Sequence, residues 1–238
     1  MSQTTTWPKH RPELTSRQKE ILEDWYGYWL PLVSNRYSRI ARFNHSYPIA
    51  AAPLEGRTLE IGAGGGEHLG HEKPRGREYF ALELREGLAN VLRARFPGVS
   101  VMVGDCQERI DVPDGFFERV IAIHVLEHLR NLPGALDEVA RVLTPSGRFC
   151  VVIPCEGGLL YSLGRQFSSK RIFEKRYGVD YEWMISYEHV NSAEEVMREL
   201  LARFVIEDRT YYPFRIPSIH ANLLIGLTLR VAGSFRSA

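Results

Sequence analysis

Thr58-Leu59-Glu60-Ile61-Gly62-Ala63-Gly64-Gly65-Gly66-Glu67-His68 runs from a short apolar segment into a glycine-rich turn and out into a polar stretch. The apolar segment reads as a strand buried on both faces, the kind found inside a parallel sheet. Glycine suits the turn for two reasons: it accepts unusual backbone angles, and it lets a ligand press against bare backbone. Two glycine patterns compete here. A dinucleotide-binding turn has glycines at its first, third and sixth positions, which are Gly62, Gly64 and Glu67. A bulky Glu67 spoils the close helix–strand packing that the last glycine permits. The other pattern, an acid followed by glycines at every second position, is met in full by Glu60, Gly62, Gly64 and Gly66.

Outward from this turn, β-rich runs alternate with helical stretches. Residues 57–62, 78–83, 99–103, 119–124 and 148–154 read as strands, and 85–95 and 132–143 as helices. Leu132, Leu136, Val139 and Leu143 share one helical face, and Pro145-Ser146-Gly147 is expected to stop that helix. Two further strands, near 204–212 and 222–229, bring the expected number to seven. This alternation predicts an α/β, Rossmann-like, seven-stranded and mostly parallel sheet with helices on both faces. Residues 1–14 are polar and read as a flexible tail. Residues 15–56 read as an N-terminal helical cap, whose first helix, 15–30, opens with a capping box between Thr15 and Gln18 and carries Ile21, Leu22 and Trp25 on one apolar face. The aromatic stretch 25–48 reads as a lid or as helices packed on the sheet. Residues 57–238 form the main domain, interrupted after the fifth strand by an insertion, 155–191; Ser192 and Glu195 then make a second capping box.

Apolar residues make up 44% and charged residues 25%, as in ordinary globular chains. Thirty basic side chains against twenty-nine acidic ones leave a net charge of +1, which argues against a nucleic-acid-coating role. Cys106, Cys150 and Cys155 have no paired spacing, so no disulfide framework is expected, and no cysteine–histidine spacing suggests a metal. The N-terminal residues lack a signal-peptide core, and the apolar stretch 221–233 is too short to span a bilayer, so a cytoplasmic location is expected.

On Glu60, Gly62, Gly64 and Gly66, with an acid after each of the next two strands and the segment Arg119-Val120-Ile121-Ala122-Ile123-His124-Val125-Leu126-Glu127-His128-Leu129, the chain resembles the class I S-adenosylmethionine-dependent methyltransferases. The resemblance covers residues 57 to about 154. It implies S-adenosylmethionine as cofactor, with Glu60 fixing its methionine end, Glu83 receiving the ribose hydroxyls, and Asp105 reading the adenine amino group beside Cys106. The turn residues Gly62, Ala63, Gly64 and Gly66, together with Leu84 and His124, complete the implied cofactor contacts. It implies methyl transfer, by O-methylation, to a small-molecule, sugar or lipid-linked acceptor. The C-terminal YYPFRIPSIHANLLIGLTLR loosely resembles methyltransferases of bacterial surface-polysaccharide pathways. A non-catalytic S-adenosylmethionine-binding protein and an NAD-dependent oxidoreductase are the alternatives.

His124 and His189 are the candidate catalytic bases, since a histidine accepts a proton near neutral pH. Glu127 and His128 read as helix-start and structural residues, and Cys155 as non-catalytic. Arg165, Lys170, Arg171, Lys175 and Arg176 read either as a solvated helix face or as a membrane-grazing lid over 159–177 for an anionic acceptor, with Tyr181 and Trp183 as stacking residues.

Overall fold

The computed structural model describes residues 6–36, 38–51, 56–72 and 78–236. Strands β1 (Thr58–Ile61), β2 (Tyr79–Glu83), β3 (Ser100–Val103), β4 (Phe117–Ile123), β5 (Leu143–Pro154), β6 (Phe204–Tyr212) and β7 (Leu224–Val231) form one sheet in the order β3-β2-β1-β4-β5-β7-β6. All neighbours run parallel except at β7, which is antiparallel to both β5 and β6. The order reverses between β1 and β4, and ligands of open α/β sheets bind beyond the carboxyl ends of the strands at such a point.

Helices α1 (Ser16–Arg36), α2 (Ser38–Ala51), α3 (Glu67–Glu72), α4 (Glu86–Arg95) and α5 (Leu132–Val142) precede the insertion. The insertion contributes α6 (Leu159–Arg165), a π-helical turn, α7 (Arg171–Tyr177) and α8 (Glu182–Glu188); α9 (Ala193–Leu201) and α10 (Gly233–Arg236) follow it. Both expected capping boxes form. Gln18 N–H donates to Thr15 Oγ1 at 3.3 Å, and Ser192 N–H donates to Glu195 Oε2 at 3.0 Å. The apolar faces of β1, β4, β5 and β7 meet α5 and α9 in the main core, where Leu59, Ile61, Val120, Leu136, Val151 and Leu227 are all buried.

Three expectations are corrected. The first helix does not end at 30 but continues to Arg36. The helix from Leu132 stops at Val142, and Leu143 already pairs with Phe117 as the start of β5. Pro145-Ser146-Gly147 is therefore not a turn outside the sheet but a bulge inside it, because the register jumps from Phe117↔Leu143 to Arg119↔Arg148. Finally, residues 6–14 are not loose. Lys9 Nζ donates to Val190 O at 2.7 Å and Glu195 Oε1 at 2.8 Å, and Arg11 Nη2 donates to His128 O at 2.8 Å, making this stretch a strap across the carboxyl edge of the sheet.

The cap has two anchors. Trp25 and Ile21 of α1 form a second small core with Phe173, Tyr181, Met184 and Ile185 of the insertion. Tyr47 of α2 lies flat on Gly226 of β7, where a Cβ would meet its ring at 2.7 Å, and its hydroxyl donates to Asp208 Oδ2 at 2.8 Å. Among the described residues no helix is long and apolar enough to cross a membrane.

Candidate functional site

Strand register alone brings three acids to one rim. Ile61 pairs with Leu82 and Glu83 with Val103, so the residues that follow β1, β2 and β3 emerge side by side. Gly62 and Gly64 adopt left-handed φ of 66° and 56°. A Cβ on Gly62 would strike Val125 at 2.6 Å, whereas one on Gly64 would meet only the Glu67 carboxylate at 3.0 Å, leaving Gly64 as bare backbone facing outward. Gly66 supplies the close packing: its Cβ would lie 2.4 Å from the Phe96 ring.

Glu83 is buried, and its two oxygens have separate partners. Gly64 N–H donates to Oε2 at 2.9 Å, while Arg85 N–H donates to Oε1 at 3.0 Å and Arg85 Nε to the same oxygen at 3.2 Å. Glu60 sits behind the turn, and its Oε2 accepts from the Tyr79 hydroxyl at 2.8 Å. Burial pushes its carboxyl up to about 7, against the pull of His68 and the Tyr79 hydrogen bond. Asp105 Oδ1 accepts from Gln107 N–H at 2.9 Å. Leu84 is 64% exposed at the rim, while Cys106 faces the main core, where burial pushes its thiol up to about 12.

At the end of β4, His124 has φ 53°, a left-handed conformation that is strained for a residue with a Cβ. Its Nδ1 lies 3.2 Å from Glu127 Oε1, and its ring remains a third exposed. Glu127 is buried; burial alone would raise its carboxyl, but the His124 hydrogen bond and the neighbouring His128 and His189 hold it down at about 2. His128 is pushed below its ordinary value by burial. His189 Nδ1 meets Glu156 Oε2 at 2.7 Å, and the His128 and His189 rings meet edge to face at 4.8 Å. The structure thus gathers His124 and His189, the two candidate bases, around a carboxylate that the sequence marked as merely structural.

A family described as "Methyltransferase domain" matches residues 59–151, the stretch that carries β1 to β5 and the rim just described. The chain carries a class I S-adenosylmethionine-dependent methyltransferase domain. A "Probable S-adenosylmethionine-dependent methyltransferase" of Mycolicibacterium smegmatis is 32% identical over 107 residues, 45% of this chain and 40% of that protein. A malonyl-[acyl-carrier protein] O-methyltransferase of Serratia marcescens is 32% identical over 89 residues, 37% of this chain and 34% of that protein. The matches thus span less than half the length of these relatives. Among solved structures, a TehB-like S-adenosylmethionine-dependent methyltransferase from Corynebacterium glutamicum superposes with a TM-score of 0.54 at 17% identity, covering 85% of this chain and all of that one. The [4+2]-cyclase SpnF superposes with a TM-score of 0.59 at 17% identity, covering 80% of each chain. These superpositions carry the fold and not the reaction.

The residues of this methyltransferase domain fit its cofactor. Gly64 leaves a cradle that a Cβ would fill, and the Glu83 carboxylate offers two acceptor oxygens for a diol. Three residues escaped the sequence reading. Tyr26 of α1 bridges the rim: its hydroxyl is hydrogen-bonded to Glu188 and its ring lies 5.5 Å from the Arg85 guanidinium. Asn44 Oδ1 and His45 Nδ1 of α2 are buried with no hydrogen-bond partner among the described residues, and His45, stacked on His71 at 4.5 Å, is pushed down to about 3 by burial. Tyr26, Asn44 and His45 reach the methyltransferase core only through tertiary packing; a polar pair amid aromatics, Asn44-His45 in FNHSY, was the one available signal.

In the insertion, Tyr181 differs from its expected role. Tyr181 is buried against Phe173 at 5.3 Å, with its hydroxyl 3.2 Å from Ser169 Oγ, so it is a core residue rather than a stacking platform. Three of the five basic residues are paired within the chain: Arg165 with Glu156 at 2.5 Å, Lys170 with Glu182 at 2.8 Å, and Arg176 with Asp24 at 2.9 Å.

Proposed function

We propose that the protein transfers the methyl group of S-adenosylmethionine to a hydroxyl oxygen of a small acceptor with an apolar part, of sugar or lipid type. The observation that carries this reading is His124, strained at the carboxyl end of β4 and backed by the ionised Glu127. Its Nδ1 proton points to Glu127, which leaves Nε2 to accept the proton of an incoming hydroxyl. The carboxylate then stabilises the charged ring, as an orienting third group does in other acid–base constellations. The cofactor supplies an activated methyl group. Gly64 and Glu83 hold it in place, and the strap and α1 keep water from the rim through Arg11 and Tyr26. An oxygen as the accepting atom is supported by the relative that is an O-methyltransferase.

The apolar part of the acceptor is supported by Leu159, Leu163 and Phe167, which lie four residues apart on one helical stripe and are exposed by 62%, 46% and 78%. A stripe of this kind also suits shallow contact with a lipid surface over 159–177. Three cysteines that are all free and buried suit a reduced, cytoplasmic compartment.

The test is methyl transfer from labelled cofactor into fractionated small-molecule and lipid extracts, with S-adenosylhomocysteine release as readout. A labelled product that is lost in His124→Ala supports the proposal. Cofactor binding without release above background, in every fraction, would point instead to a non-catalytic binding protein.

A further inference from the structure

We infer that Glu127, His128 and His189 form a binding site for a divalent transition-metal cation beside the rim of the methyltransferase domain. One carboxylate oxygen and one nitrogen from each ring lie within 4.8 Å of one another. Two ligands about 2.1 Å from one ion stand about 3.4 Å apart in tetrahedral geometry, so small rotations of the half-buried rings close the set.

Three independent features point the same way. First, Glu127 Oε2 is buried and has no hydrogen-bond partner among the described residues, a costly condition for an ionised oxygen unless a cation completes it. Second, the tautomers are fixed as a metal needs them. His128 Nδ1 lies 2.9 Å from the Glu188 backbone carbonyl, which can only accept, so this nitrogen carries the proton and Nε2 keeps its lone pair. His189 Nδ1 donates to Glu156 Oε2 at 2.7 Å, and its Nε2 is likewise free; a carboxylate behind a histidine is the usual support of a ligating ring. Third, the two ligand segments are locked together. Asn191 N–H donates to Glu127 O at 3.0 Å, and its Nδ2 donates to Leu126 O and Leu129 O at 2.8 and 2.7 Å.

Two imidazoles and a carboxylate suit zinc or manganese, and three protein ligands with partly exposed rings leave a position for a further oxygen ligand. Glu127 Oε1 lies 3.2 Å from His124 Nδ1 and 3.9 Å from His128 Nε2, so the cation and the proposed base share one carboxylate. The site does not depend on the acceptor or on turnover.

The experiment uses the full chain, freed of metal with a chelator and titrated with Zn2+, Mn2+ and, as a visible probe, Co2+. We expect about one equivalent bound, with a Co2+ absorption band of a nitrogen–oxygen site and a rise in the unfolding midpoint on addition of metal. Glu127→Gln and His189→Ala should each weaken binding at least about 100-fold. S-adenosylhomocysteine binding, measured on the same samples, reports that each variant is folded; the half-buried His189 provides this control should the Glu127 variant not fold. Substoichiometric binding by the wild type, or unchanged affinity in folded His189→Ala, overturns the site.

Discussion

Glu72 on α3 and Glu127 after β4 are both buried carboxylates beside histidines, and they differ in the fate of the second oxygen. Glu72 gives Oε1 to the Arg119 guanidinium and Oε2 to His68 Nε2 at 2.7 Å, so both its oxygens are engaged. Glu127 gives Oε1 to His124 and leaves Oε2 without a hydrogen-bond partner among the described residues. Burial pushes both carboxyls upward, and in both the neighbours outweigh it and keep the group ionised. A carboxylate engaged at both oxygens is a structural tie, whereas a buried oxygen left over calls for a cation or an ordered water to complete it.

The largest expected effect tests the structural side of this contrast. Arg119→Met strands the Glu72 charge in the interior and should cost about 3–5 kcal/mol of stability, read from urea unfolding. Glu127→Gln should cost about 1 kcal/mol or less in the same measurement while removing cation binding. If the two variants unfold alike, the contrast fails.

Next in size, Glu83→Ala takes away both oxygens offered to a diol. S-adenosylhomocysteine affinity should fall by about 2–4 kcal/mol in calorimetry, with unfolding little changed. An unaltered affinity would remove Glu83 from the cofactor site.

Glu60 gives a pH signature. Its folded value of about 7 lies above its ordinary 4.5, so the folded state holds a proton that the unfolded chain has released. The stability this gives is present below the ordinary value and is lost as pH rises to about 7. Glu60→Gln lacks that loss and should gain on the wild type by on the order of 1–3 kcal/mol between pH 5 and pH 8. Parallel pH profiles for the two proteins would show that the buried carboxyl is ionised throughout. The smallest effect belongs to Tyr26→Phe, which removes the bridge to Glu188 and should weaken cofactor binding by about 1 kcal/mol, a few-fold change in Kd.

The glycine turn and the placement of the acids were legible in the sequence because their signals are local. Each acid closes its own strand, and the strands read from their apolar runs, so Gly62, Gly64, Glu83 and Asp105 could be placed without knowing what packs beside them. Where a neighbour decided, the reading slipped: the bulge at 145–147 exists because Leu143 already pairs with Phe117, and the polar tail became a strap because Val190 and Glu195 lie within reach of Lys9.

The amino-acid sequence by itself determined a seven-stranded, mostly parallel α/β sheet, a bare-backbone turn after β1 and an acid at the end of each of the first three strands, since strand periodicity and glycine conformation are properties of short segments. Only the tertiary structure decided that Tyr26 crosses that rim, that Tyr181 is core, and that His189 comes to rest against His128 and Glu127 from sixty residues away. Convergence of that kind depends on how the insertion and α1 pack together, and no local pattern of residues carries it.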